Sequence, residues 1–204
     1  MKRRWTILLS LMLAALMFTG CAAAETADLP QERPSAETLN ELVFDASTWS
    51  ENPTFQSFNG VTLTGEAVNQ DILSGHKVTM LNIWATFCNP CIMEMPDLGA
   101  LNKAYGEGEF QVIGLVVDTL DQGGVSSSAI DLAWEIIDLT GADYMHLLPS
   151  YDLSVVKLND VMSVPETIFL DSEGNILNPD TQYLGARSYD DWKAIIDELL
   201  AQQA

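Results

Sequence analysis

Residues 81–91 read LNIWATFCNPC, and this stretch decides the fold of the chain. The continuous apolar run from Val78 to Ala85 is typical of a strand that is buried on both faces of a sheet. A helix is predicted to follow from about Pro90 to Tyr105, because a proline suits the first helical turn, where its missing N–H is no loss. Cys88 and Cys91 therefore lie where a buried strand passes into a helix.

The two cysteines form a Cys-x-x-Cys motif at that helix N-terminus. Unpaired N–H groups and the helix dipole favour a thiolate over a thiol there, and such motifs lower the thiol pKa from roughly 8.5 to between about 3.5 and 7.5. Two intervening residues in helical geometry let the sulfur of Cys91 reach that of Cys88. Cys88 can then attack a partner disulfide and Cys91 can resolve the mixed disulfide, so the motif predicts thiol–disulfide exchange.

Three other roles for the cysteine pair are weaker. A structural disulfide across so short a loop contributes little entropic stabilisation. A zinc site needs two further ligands, and the two histidines, His76 and His146, are neither paired nor suitably spaced. A thiol peroxidase places its reactive cysteine in a different helix-start context and does not require so close a partner. No metal centre is therefore expected, and neither histidine receives a role.

The rest of the chain alternates predicted strands with predicted helices, which indicates an α/β fold with a central mixed sheet flanked by helices. An Asn59-Gly60 pair suits a type I′ turn, so residues 55–58 and 61–64 are predicted to form a β-hairpin extension before the main fold. Further strands are expected at 110–117, 144–148, 167–171 and 176–178, and helices at 126–139 and 189–201. Helical spacing of apolar residues also allows a short helix at 36–43.

Two separated segments resemble the TlpA/ResA-like branch of thioredoxin-fold proteins. The first, residues 81–96, has that family's apolar strand, its Trp-Ala-Thr-aromatic and Cys-x-Pro-Cys motifs, and the following Glu and Pro, with Phe87 in place of the commoner Trp. The second, residues 161–175, resembles the family's cis-proline strand and the hairpin after it. The resemblance covers roughly residues 53–200 and implies a thioredoxin-like fold for that part of the chain.

The resemblance also implies roles for residues of the site. It makes Cys88 the exposed nucleophile and Cys91 the resolving thiol. Pro165 is expected to follow a cis peptide bond and to face the disulfide, while the backbone of Val164 pairs with an extended substrate segment. Trp84 is expected to pack in the core and to turn one edge toward the disulfide. The expected shell around the cysteines comprises Trp84, Phe87, Pro90 and Val164.

Glu94 is a further candidate catalytic residue. It lies three residues after Cys91 and therefore shares that face of the helix. A partly buried carboxylate there would oppose thiolate formation and could relay protons to the resolving sulfur, whereas a solvated surface glutamate is the alternative. Asn82 stands where cytoplasmic thioredoxins carry a buried Asp, which makes Glu94 the candidate substitute for that proton relay.

Residues 1–20 are expected to be a secretory signal peptide rather than part of the fold. Three positively charged residues at 2–4 precede an apolar run at 7–18 that is too short for a membrane-spanning helix. The run ends in Phe-Thr-Gly before Cys21, which resembles a bacterial lipobox. Cys21 is therefore expected to be lipidated, and cleavage after the alanines at 22–24 is the alternative.

Composition and charge narrow the set of partners. The 204 residues include 29 Asp and Glu against nine Lys and Arg, a formal charge of −20. Nucleic acid is excluded as a partner of so acidic a chain, since phosphate contacts need clustered Lys and Arg. Removal of residues 1–20 leaves six Lys and Arg and a charge of −23, so acyl groups rather than charge would hold the chain to a membrane.

The domain organisation follows from the same composition. Residues 21–52 are rich in Ala, Glu, Pro, Ser and Thr and lack large apolar clusters, so they are predicted to form a flexible tether. Residues 53–204 then form the thioredoxin-like domain. Nothing in the sequence indicates an internal repeat or an obligate oligomer, and a monomer is expected.

These features together predict a lipid-anchored, extracytoplasmic thiol–disulfide oxidoreductase that reduces disulfides in protein substrates. The resemblance implies an integral-membrane thiol carrier as its electron donor, and no cofactor is expected. Two alternatives stay open. The protein could be a disulfide-forming oxidase, which would have a higher reduction potential, or a tethered metallochaperone that uses the same cysteines as metal ligands.

Overall fold

The computed structural model describes residues 33–203 of the chain. Its helices are α1 (Ala36–Val43), α2 (Asn89–Ala104), α3 (Ser127–Thr140), α4 (Tyr151–Val156) and α5 (Tyr189–Gln202). Its strands are β1 (Asn59–Val61), β2 (Ala67–Asn69), β3 (Val78–Trp84), β4 (Phe110–Val116), β5 (Leu120–Asp121), β6 (Gly124–Val125), β7 (Met145–Leu147), β8 (Glu166–Leu170), β9 (Ile176–Leu177) and β10 (Tyr183–Leu184). Short 3-10 helices occupy residues 46–48, 70–73 and 158–160.

The central sheet is mixed and has the strand order β10-β8-β3-β4-β7, with β9 paired to β8. Strand β3 runs parallel to β4 and antiparallel to β8, and Ile83 lies opposite Glu166. The carboxyl ends of β3 and β4 therefore meet the start of β8 at one edge of the sheet. The α/β class and the mixed sheet predicted from the sequence are confirmed.

Both faces of this sheet are covered. On one face, the buried side chains of Met80 and Trp84 join a core formed with α1, α2, α3 and α5. On the other face, Leu81 and Ile83 pack in a second cluster with apolar residues that flank β1 and with α4. All seven residues of β3 are buried, which explains why its sequence is a continuous apolar run rather than an alternating one.

The N-terminal hairpin is present, but its register differs from the prediction. Strands β1 and β2 place Gly60 opposite Val68, so the Asn-Gly pair lies in a strand and not in the turn. The turn has its positive φ at Gly65, where φ is 82°. Val61 and Leu63 are both buried, and burial of these side chains sets the register more strongly than the local preference of Asn-Gly does.

Residues 33–52 differ from the flexible tether expected for them, whereas the short helix allowed at 36–43 is present as α1. Helix α1 begins after Ser35, whose side chain accepts a hydrogen bond from the backbone of Thr38. The side chains of Leu39 and Val43 are buried in the core. Two apolar side chains at helical spacing thus outweigh the polar composition of the segment, because the domain offers them an apolar surface.

The predicted signal peptide at residues 1–20, the lipidation site Cys21 and the first part of the tether lie outside the described residues. Within residues 33–203, no helix has the length and apolar character needed to cross a membrane.

Candidate active site

Cys88 and Cys91 form a disulfide at the start of α2, with their Cα atoms 5.3 Å apart. Cys88 is the N-cap residue of that helix, and its sulfur accepts a hydrogen bond from the backbone N–H of Cys91 at 3.3 Å. Cys88 keeps 6% of its surface exposed, whereas Cys91 is fully buried. An incoming sulfur can therefore reach Cys88 only, although Cys88 is less open than the expected exposed nucleophile.

The loop before β8 faces the disulfide. The Val164–Pro165 peptide bond is cis, as expected. The carbonyl oxygen of Val164 lies 3.5 Å from the sulfur of Cys88, and Pro165 itself is buried. The carbonyl oxygen of Pro165 accepts a hydrogen bond from the backbone N–H of Gly185 at 2.9 Å. The segment before α5 thus holds the cis-proline loop through a backbone hydrogen bond.

Glu94 is buried, with 2% of its surface exposed, so the solvated alternative is wrong. Three N–H groups donate hydrogen bonds to its carboxylate. The Asn82 side chain donates to Oε1 at 3.0 Å, and the Arg187 backbone and the Trp192 indole each donate to Oε2 at 3.2 Å. Each of these donors belongs to a different part of the fold, so β3, the segment after β10 and α5 together hold this side chain.

Burial raises the pKa of Glu94 above its ordinary value of 4.5. The three hydrogen bonds and the positive charge of Arg187 act in the opposite direction, because they stabilise the carboxylate. Glu94 is thereby a carboxyl group that can take up or release a proton nearer to neutral pH than an exposed glutamate. Such a group, one helical turn from Cys91, has the chemistry of a proton relay.

Asn82 connects Glu94 to β8. Its side-chain amide donates to Thr167 Oγ1 at 3.2 Å as well as to Glu94. Its own carbonyl oxygen, Oδ1, is buried and has no hydrogen-bond partner among residues 33–203. In this orientation both N–H groups of the Asn82 amide donate to an acceptor, one to Glu94 and one to Thr167. The bond to Glu94 stabilises its carboxylate form.

Trp84 is fully buried, and its indole N–H donates to Nδ1 of His146 at 3.2 Å. Nε2 of that histidine donates to the carbonyl oxygen of Ala142 at 2.9 Å. Burial lowers the pKa of His146 to about 4, so its ring is neutral at pH 7 and carries its proton on Nε2. Gly114 makes room for this pair, because a Cβ there would lie 2.2 Å from His146 Nδ1.

Residues 50–190 match the Redoxin family. The chain belongs to the Redoxin family. Among curated relatives, thioredoxin-like protein YneN of Bacillus subtilis is 33% identical over 126 residues, which cover 58% of this chain and 64% of YneN. Thiol-disulfide oxidoreductase ResA of Halalkalibacterium halodurans is 28% identical over 120 residues, 58% of this chain and 61% of that protein.

These curated relatives confirm the resemblance to the TlpA/ResA-like branch, and the chain spans less than two thirds of the length of either one. Solved structures show the same fold. MTB DsbF has a TM-score of 0.56 at 24% identity, covering 72% of this chain and 98% of that chain. The exposed lipoprotein thioredoxin Etrx1 of Streptococcus pneumoniae has a TM-score of 0.52 at 23% identity, covering 70% and 98%. The thioredoxin-like fold of this Redoxin is thereby confirmed.

Sequence reasoning missed three polar contacts near the disulfide of this Redoxin. Glu166, directly after Pro165, forms a salt bridge with Lys157. Asp118 accepts hydrogen bonds from the backbone and hydroxyl of Thr86, in the loop that leads to Cys88. Arg187 contacts Glu94 through its backbone. The position of Glu166 beside the expected cis-proline was a usable signal, whereas the other two contacts join segments that are distant in sequence.

Exposed apolar side chains lie in the chain segments that hold the disulfide and the cis-proline. Phe87, Met93 and Met162 are 73%, 79% and 91% exposed, and Pro90 is exposed as well. Methionine side chains are flexible and polarizable, so they adapt to varied apolar partners. This exposed rim suits contact with a protein segment. Within residues 33–203, no group of three or more His, Cys, Asp or Glu side chains is arranged to hold a metal ion.

Proposed function

We propose that the protein is an extracytoplasmic, lipid-anchored thiol–disulfide oxidoreductase that reduces disulfides in protein substrates. One observation carries the proposal. The Cys88–Cys91 disulfide lies at a helix N-terminus, with access to Cys88 only and with the cis-proline loop against its sulfur. That arrangement suits repeated cleavage and formation of the bond, because the thiolate of Cys88 is stabilised where a partner can reach it.

The reaction conserves electrons as two exchange steps. The thiolate of Cys88 attacks one sulfur of a substrate disulfide, which forms a mixed disulfide and releases the other substrate sulfur as a thiolate. The sulfur of Cys91 then loses its proton and attacks Cys88 Sγ, which forms the disulfide present in this structure and releases the second substrate sulfur. Two electrons pass to the substrate, and an external dithiol must return them to the cysteine pair.

The buried carboxyl of Glu94 supports the reductive direction. Glu94 lies one helical turn from Cys91 and is enclosed with it in the core. A negative charge there disfavours the thiolate of the reduced pair. Strong oxidants of this chemistry owe their potential to a stabilised reduced form. A carboxylate that offsets part of the stabilisation given by the helix N-terminus therefore favours electron donation. Glu94 would also accept the proton of Cys91 as that sulfur attacks.

The cellular location is proposed from the sequence. The charged and apolar segments at residues 1–20 have the pattern of a secretory signal, and Cys21 follows a lipobox-like sequence. Lipidated Cys21 would hold the domain outside the cytoplasm, where disulfide chemistry persists. An integral-membrane thiol carrier would then supply the electrons. Residues 36–48 contain α1 and a 3-10 helix, so the proposed tether is shortened to residues 21–32.

The test compares single cysteine variants in a protein-disulfide reduction assay with insulin as substrate and dithiothreitol as the electron donor. Cys88→Ser should reduce the catalysed rate to the background of dithiothreitol alone. Cys91→Ser should instead accumulate mixed disulfides through Cys88, detected by mass spectrometry. The matched control is Cys21→Ser, which should keep full activity and lose only membrane attachment. Retention of activity in Cys88→Ser would refute the proposed function.

A further inference from the structure

Arg187 differs from the other cations of the described chain. Residues 33–203 contain six Lys and Arg residues, and each of the other five forms a salt bridge with a carboxylate. The guanidinium of Arg187 instead donates from Nη1 to two backbone carbonyl oxygens, those of Leu184 at 3.3 Å and Gly185 at 3.1 Å. It also lies over the ring of Trp192, 4.8 Å from its centroid. This side chain therefore closes its own backbone loop onto α5.

The loop that Arg187 closes has two contacts with the active site. The backbone N–H of Arg187 donates to Oε2 of Glu94 at 3.2 Å. The backbone N–H of Gly185 donates to the carbonyl oxygen of Pro165 at 2.9 Å. The indole of Trp192, on which the guanidinium is stacked, donates to the same Oε2 atom at 3.2 Å. The Arg187 side chain thus fixes both N–H groups that donate to Glu94 Oε2. It also fixes the segment whose Gly185 N–H binds the cis-proline loop.

We propose that Arg187 is a positioning residue that holds Glu94 in its active geometry and couples that geometry to the cis-proline loop. It acts through the loop at residues 184–188 and through Trp192, without touching the cysteines itself. The role of this coupling in catalysis rests on the proposed reductase function. The structural part, control of the Glu94 carboxyl by Arg187, stands independently of it.

Several other groups lie around Glu94 and influence the protonation of its carboxyl. Cys91 lies on the same helix, Asn82 approaches from β3 and Trp192 from α5. Burial raises the pKa of the Tyr144 phenol, before β7, and the charge of Glu94 adds to this effect. Burial raises the pKa of Glu94, and the positive charge of Arg187 acts against this effect. Its removal should therefore leave Glu94 protonated to higher pH.

The test uses Arg187→Met, Arg187→Lys and the matched control Arg33→Met. Arg33 also stacks on a tryptophan, with its guanidinium 4.3 Å from the ring of Trp134, and it lies in a salt bridge with Asp138. The first readout is the titration of the Glu94 side-chain carboxyl by carbon-detected NMR in the oxidised protein. Arg187→Met should raise its midpoint, because the variant loses a positive charge that favours the carboxylate. Arg187→Lys should shift it less, and Arg33→Met should not shift it.

The second readout is the pH dependence of Cys88 alkylation by iodoacetamide in the reduced protein, which requires no reductase activity. Its profile should change in Arg187→Met, because coupled groups titrate together, and should match the parent protein in Arg33→Met. If Arg187→Met does not fold, the same comparison is made with Arg187→Lys. Unchanged NMR and alkylation profiles in the Arg187 variants would overturn the proposal. A shifted profile in a protein that does not reduce insulin would overturn only the reductase function.

Discussion

Two buried carboxylates lie beside the strand that leads to the disulfide, and they are satisfied in different ways. Glu94, on α2, is 2% exposed and accepts hydrogen bonds from three N–H groups without a salt bridge. Glu166, at the start of β8, is 8% exposed and forms a salt bridge with Lys157. Both residues lie close to the chain segments that contact Cys88, so the difference is in their partners rather than in their position.

The difference assigns the two carboxylates different tasks. In a buried ion pair the two groups depend on each other, because loss of either one leaves the other in a poorly solvated site without its partner. Glu166 and Lys157 therefore act as a fixed structural link beside the cis-proline. A carboxyl held by N–H groups without an ion-pair partner can exist in either protonation state, and burial brings the two states closer in free energy. Glu94 can therefore take part in proton transfer.

The largest effect on stability is expected from breaking the ion pair. Lys157→Met leaves Glu166 as an unpaired buried charge, which should lower the free energy of unfolding by about 3–5 kcal/mol. Urea denaturation of the oxidised protein measures the change. The control is Lys193→Met, which breaks the exposed pair with Asp197 and should cost less than about 1 kcal/mol. Equal losses in the two variants would show that Glu166 is not held as a buried charge.

A smaller effect is expected from substitution of Glu94, and it should change the catalytic rate. Glu94→Gln keeps the size of the side chain but removes the proton acceptor near Cys91, so the rate of insulin reduction at pH 7 should fall by roughly 100-fold. The control is Asp97→Asn on the same helix, whose side chain accepts a hydrogen bond from the backbone of Tyr189. That variant should keep a rate close to the parent value. A similar rate in Glu94→Gln and the parent would exclude a proton-transfer role.

The smallest effect is the pH dependence of stability caused by Glu94 itself. Because burial raises its pKa above 4.5 in the folded protein, the folded state binds this proton more tightly than the unfolded chain does. The stabilisation from protonated Glu94 is complete below pH 4.5 and decreases as the pH rises through the raised pKa. The stability of the parent relative to Glu94→Gln should therefore fall over this interval. An increase instead would mean that the folded protein favours the carboxylate.

Much of the fold could be predicted from the sequence, because its elements have strong local patterns. The apolar run of β3 and the N-cap serine of α5 carry their own signals, and both elements lie where they were predicted. The disulfide pair follows from its spacing at a helix start. The spacing of Glu94 placed it on the face of Cys91, but periodicity does not show which neighbouring elements cover that face. Only the structure therefore shows that Glu94 is buried.

The remaining features depend on tertiary contacts. The spacing of apolar residues allowed helix α1, but its packing into the core depends on an apolar surface from distant parts of the chain, which composition alone does not reveal. The hairpin register was set by burial of Val61 and Leu63 rather than by its Asn-Gly pair. Arg187 meets Glu94 across 93 residues of sequence, and no local pattern encodes such a contact.

In the proposed function, the Cys88–Cys91 pair donates electrons to protein disulfides. The most direct test is the reduction potential of this pair, measured by equilibrating the protein with defined thiol–disulfide buffers at pH 7 and counting free thiols. A reductase of this kind should have a potential near about −270 mV, the value typical of thioredoxin. A potential near about −120 mV, typical of a strong disulfide-forming oxidant, would contradict the account.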